Sequence, residues 1–206
     1  KAPDFENAIF NLALTLSSLG TIYSHTDQAT EAIQCFSESV EMYEQKVQQT
    51  SNDASGYTSK GMAEINLAEV YTRQSHIQKA KESYRAALES FEAALAIEPD
   101  DLTAHYNKGL AHAGIAGLLI EESQHDRASA IYRHAIQAYD QVLQRDPQNV
   151  DSLYNKGVTF LTLGQLQLSF SNNGEAKEYF ENALRIFKVA IDIEPDDVLV
   201  KEAGMK

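Results

Sequence analysis

Apolar residues along this chain recur at helical spacing, and the whole pattern of apolar and polar positions returns every 48 residues. Ala32, Ala80, Ala128 and Ala176 form one column at that interval, and Phe36, Tyr84, Tyr132 and Phe180 form a second four residues later. Tyr43, Phe91, Tyr139 and Phe187 make a third, and Val47, Leu95, Leu143 and Ile191 a fourth. Lys-Gly recurs at 60–61, 108–109 and 156–157, and "IEPDD" stands at both 97–101 and 193–197. Four units follow, at 5–52, 53–100, 101–148 and 149–196. The first is the most diverged, with Leu12-Ala13 in place of Lys-Gly and "QQTSND" in place of a proline ending.

Within a unit the spacing predicts two helices. Ile65, Leu67, Ala68 and Tyr71 mark one, and Ala80, Tyr84, Ala87, Leu88, Phe91 and Leu95 the next. Polar "TRQSH" (72–76) and "SNNGEAKEYF" (171–180) separate paired helices, while Pro99, Pro147 and Pro195 punctuate unit ends. Each helix is expected to span roughly 20 residues, or about 30 Å. Asp100 or Asp101 is expected to cap a first helix, and Asn172 or Asn173 a second, with Glu175 three residues after Asn172. Residues 197–206 read as the start of a capping helix or as a truncated continuation.

The columns have a packing logic. Two helices approach closely only where a side chain is small, which the alanine column provides, and the aromatic one turn later fills the wider gap beside it. Gly20, Ala68, Ala116 and Gly164 supply the small partner on the first helix. A lone hairpin cannot bury both faces, so neighbouring hairpins must stack.

These residues resemble the tetratricopeptide repeat family, whose pattern runs from a large residue through Leu-Gly, Tyr, Ala, an aromatic and Ala to Pro. Leu67-Ala68, Tyr71, Ala80, Tyr84 and Ala87 match it in the second unit. Leu19-Gly20, Tyr23, Ala32 and Phe36 match in the first, where Ser39 replaces the second Ala. Ile115-Ala116, Leu119, Ala128, Tyr132 and Ala135 match in the third; Leu163-Gly164, Ala176, Phe180 and Ala183 match in the fourth, where Gln167 replaces Tyr. The family unit has about 34 residues, so each unit here is about 14 longer, or roughly two turns on the outer end of each helix. Two added heptads keep the buried face nearly in phase.

The resemblance implies an all-α superhelical solenoid of helical hairpins, a single array over 1–206, whose first helices line a concave groove for a partner peptide or helix. Carried onto this sequence, the groove residues are Leu14, Met62, Ile65, Glu69, Leu110, Ala113, Gly117, Ile120, Val158, Leu161, Gln165 and Leu168, with Tyr106 and Tyr154 at the rim. The competing reading buries the same apolar face by tighter packing or by a second copy, which makes the chain a homo-oligomerisation or architectural module. Some family members clamp a C-terminal carboxylate with Lys, Asn and Arg. The matching positions here are Ser17, Thr21, Asn66, Leu110 and Gly114, and only Asn66 fits. Lys60, Lys108 and Lys156 lie outside those positions and read as a weak basic ladder or as solubilising charge.

Composition narrows the function further. Of 206 residues 43% are apolar, with ten glycines and four prolines, which suits a helical protein with a real core. A net charge of −13 repels phosphate backbones and anionic membranes, so neither nucleic acid nor direct membrane insertion is expected. Cys35 is the only cysteine and reads as a small buried thiol; it leaves the compartment open, with the cytoplasm favoured. His25, His76, His105, His112, His125 and His134 form no metal-ligand spacing, so no metal or other cofactor is expected. "GLAHAGIAG" (109–117) lacks dinucleotide spacing and a preceding strand, and reads as close helix packing. With no nucleophile elbow, phosphate loop or paired acids in a catalytic setting, a non-enzymatic interaction scaffold is the reading.

Overall fold

The computed structural model of the chain describes residues 3–50 and 52–194, with side chains from residue 7 onward. Eight helices occupy these residues: α1 (Pro3–His25), α2 (Ala29–Gln49), α3 (Ala54–Arg73), α4 (Ile77–Ile97), α5 (Leu102–Glu121), α6 (His125–Arg145), α7 (Val150–Ser169) and α8 (Asn173–Ile193). The region expected to begin a further helix, 197–206, lies outside the described residues.

Helix boundaries follow local chemistry. Asp53, Asp101 and Asn149 each turn a side-chain oxygen onto an amide of the first turn, at 2.9 Å to Gly56 N, 3.0 Å to Ala104 N and 2.9 Å to Ser152 N. At α8 the expected capping box does not form. Asn172 is the cap residue but makes no side-chain cap bond; its amide donates to Gln167 Oε1 at 2.8 Å instead. The polar break between α3 and α4 is also tighter than expected, because helix continues through Arg73. The turns inside successive hairpins share a left-handed residue: Asp27, Ser75, Ser123 and Ser171 have φ between 57° and 62°.

The chain forms two compact units, Lys1–Gly114 and Ile115–Lys206, which divide within α5. In the first, α1 packs on α2, α3 on α4, and α2 on α3. Phe36, Tyr43 and Phe91 are buried. Glycine is needed where these rings reach the first-helix backbone: a Cβ at Gly61 would run into the Phe91 ring, and one at Gly114 into the Tyr84 ring. In the second unit α7 packs on α8 and on α6. Leu153, Ile186 and Ala190 form a core cluster there, joined by Leu143, Val150 and Tyr154.

Candidate protein-interaction surface

The first helices distribute the expected groove residues unevenly. In the first unit Leu14 on α1 and Met62 on α3 are exposed apolar side chains in one column, and Leu110 on α5 continues it half-buried. Ile65 is buried in the interior. Its column neighbour Ser17 shows why: Ser17 and Ser39 share a 2.7 Å hydrogen bond, so this column leans toward the paired second helix. Ser39 in turn donates to Ala13 O at 2.7 Å, pinning α2 to α1 at the position where the family pattern has alanine. Tyr106 and Ala113 are half-buried.

In the second unit Gly117, Ile120, Val158 and Leu161 are half-buried, while Gln165 and Leu168 are exposed. Tyr154 lies with its ring 6.2 Å from that of Phe187 and packs against the Leu153 cluster, so hairpin packing holds it.

Electrostatics around the first-unit surface centre on α3. Glu69 reaches solvent, yet desolvation still raises its carboxyl above the usual range, with Arg73 opposing. Tyr84 below it is pushed up to about 12 by burial, with the Glu69 charge adding and a Thr72 hydrogen bond opposing. Glu64 lies outside the expected groove set. It is buried, accepts from Ser90 Oγ at 2.7 Å, and has its carboxyl pushed up to about 7 by burial, against the pull of Ser90 and Lys60. Its column holds Leu16, His112 and Phe160, and that wholly non-acidic company is the available signal of an inward position.

The lysine column is structural. Lys60 on α3 pairs with Glu44 on α2, Lys108 on α5 with Glu92 on α4 at 3.1 Å, and Lys156 on α7 with Asp140 on α6. Burial pulls the Lys60 ammonium down, but the Glu44 hydrogen bond and the Glu64 and Glu44 charges more than reverse this. Glu44 is correspondingly lowered, first by the Lys60 hydrogen bond. Each pair joins the second helix of one hairpin to the first helix of the next.

Cys35 is buried, and burial followed by the charges of Glu38 and Glu31 pushes its thiol up, away from the reactive thiolate. Among the described residues no group of three or more His, Cys, Asp or Glu side chains is disposed to hold a metal. Among the same residues no helix is long and apolar enough to cross a membrane.

This succession of long paired helices, with small residues and aromatics interlocking at 48-residue intervals, defines an all-α repeat protein of the interaction-scaffold class. Tetratricopeptide repeat models match residues 12–53, 76–115 and 138–169, and the chain belongs to the tetratricopeptide-like repeat superfamily. A search of curated proteins returned no match. Among solved structures, BtubC (BKLC) from P. vanneervenii is similar with a TM-score of 0.67 at 16% identity, over 88% of this chain. This chain spans 65% of that protein's length. A MamA double mutant, RS-1 ArsTM, is similar with a TM-score of 0.54 at 16% identity, over 92% of this chain and 81% of that one. At these identities the likeness is one of fold.

Proposed function

We propose that the chain is a protein-binding scaffold that holds an apolar strip of a partner helix or extended segment on the first-helix face of its first unit. The observation that supports this is the column Leu14, Met62 and Leu110, whose first two members leave large apolar side chains in solvent on successive first helices. A packed hairpin has no need of them there, and apolar anchors at regular spacing suit an amphipathic partner. Glu69 beside the column offers an acidic contact to a basic flank of that partner. The test is selection from a displayed library of random twelve-residue peptides, followed by titration of the winners against a Leu14→Asp/Met62→Asp variant. Recovered peptides with apolar residues at helical or alternating spacing, binding at least tenfold weaker to the variant with unchanged helicity, are the expected result. Winners that bind the variant equally well would place the partner surface elsewhere.

Self-association is the second reading. It is favoured by the apolar side chains left open on α1 and α8.

A further inference from the structure

The first and last described helices carry open apolar faces, and the two faces match. Inside each unit, the second helix of a hairpin is covered by the first helix of the next: α3 lies on α2, and α7 on α6. Val70 on α3 packs there with Ala32 and Phe36 of α2. Val70 and its counterpart Leu166 on α7 are 2% and 8% exposed, whereas the counterpart on α1, Ile22, is 59% exposed. Leu19, in the column of Leu67 and Leu163, is open on the same helix. Between Asn7 and Ser24, α1 has no charged residue at all.

The other end lacks what α1 offers. Ile136 on α6 is 9% exposed, but its counterpart Leu184 on α8 is 51% exposed. Leu184, Phe180, Ala176 and Leu168 line an open apolar depression of about 370 Å3. Phe180 stands in the column of Phe36, the ring that Val70 covers.

The ion pairs between hairpins change in step at both ends. The lysine column 60, 108 and 156 becomes Leu12 on α1, and the acid column 44, 92 and 140 becomes Lys188 on α8. A first helix bearing that lysine would bring two ammonium groups together on α8. Among the four first helices only α1 presents leucine there, over which a lysine stem can lie.

We propose that α1 of one copy of this chain seats on the α8 face of a second copy, continuing the packing of α3 on α2 head to tail between molecules. Ile22 enters the depression beside Phe180, and Leu12 meets the stem of Lys188. The interface joins unlike surfaces, so each added copy presents a new open end. It rests on the self-association reading, leaves the Leu14 and Met62 face uncommitted and does not depend on partner binding.

The experiment is light scattering over a concentration series for the wild type, Ile22→Asp, Leu184→Asp and an equimolar mixture of the two variants. Circular dichroism checks that each folds, and Ile22→Ser and Leu184→Ser serve as milder replacements. The wild-type mass is expected to climb past twice 22.9 kDa as concentration rises. Each variant alone is expected to associate at least tenfold more weakly. Their mixture is expected to form a dimer that grows no further, because one variant keeps a working α8 face and the other a working α1 face. A wild type that stays monomeric at every concentration, as when residues 195–206 of its own chain cover α8, overturns the proposal. A wild type that stops at two copies, or a mixture that fails to pair, overturns it equally.

Discussion

At the scale of single residues, Glu64 is a buried carboxyl that ties the fold to pH. Its carboxyl is raised to about 7 in the fold from an ordinary 4.5. Below about pH 4.5 it is protonated whether the chain is folded or not, and its contribution is fully present. Between there and about pH 7 the unfolded chain loses the proton first, so stability falls as pH rises; above about 7 the loss is complete. Glu64→Gln keeps an acceptor for Ser90 and removes the ionisation. Denaturant unfolding at pH 5 and pH 8 is expected to show a difference smaller by about 1–3 kcal/mol in that variant. Gly61 tests close packing in the same hairpin: Gly61→Ala drives a methyl into the Phe91 ring and is expected to cost about 1–3 kcal/mol by thermal or chemical unfolding. The small and aromatic columns were legible in the sequence because shape alone dictates them. Glu64 was not, because a charged residue on a helix is read by default as solvated, and only its vertical column betrays the buried position. Ile65, expected on the groove, is buried, and its burial is hidden from the sequence for a related reason. Spacing along one helix does not say how far that helix is rolled toward its partner, and the Ser17–Ser39 hydrogen bond is what reveals the roll.

At the scale of the element, the hairpins close through a residue in the left-handed region that is never glycine. Asp27, Ser75, Ser123 and Ser171 hold this conformation, which costs an L-residue roughly 1–2 kcal/mol. Glycine removes the clash but gives the unfolded chain more freedom, so Ser75→Gly or Ser123→Gly is expected to gain up to about 1 kcal/mol. A rise in melting temperature additive over the two sites is the measurement. Helix starts were legible where an Asp or Asn stood before the apolar rhythm, as at Asp101. Asn149→Ala is expected to cost about 1 kcal/mol through its lost bond to the Ser152 amide. The start of α8 misled because Asn172 finds Gln167 across the turn. A cap competes with any neighbouring acceptor, and sequence does not show which one the turn brings near.

At the scale of the whole molecule, the 48-residue interval was legible end to end, because a helical hairpin that must bury both faces repeats its contacts. The boundary between the two compact units falls inside a continuous helix, at no change of composition. The net charge of −13 acts at this scale too. Like charges oppose the approach of copies, and salt screens them over about 10 Å at 0.1 M. Association through the neutral α1 face is therefore expected to strengthen between about 0.05 and 0.5 M salt, read by sedimentation velocity, because an apolar interface has no ion pairs for salt to weaken.

The ladder of Lys60, Lys108 and Lys156 runs in one sense, with every acid on the earlier hairpin and every lysine on the later. Any of the internal acids can therefore meet any of these lysines. For a gene, that makes 48 codons a unit of exchange: recombination that removes or duplicates one such block rejoins a familiar acid to a familiar lysine. Excision of residues 53–100 brings Glu44 opposite Lys108 with the aromatic columns still aligned, whereas a cut of half that length sets rings against rings. Loss or gain of one whole unit thus keeps these pairs in register, and the folded protein sets the size of the step.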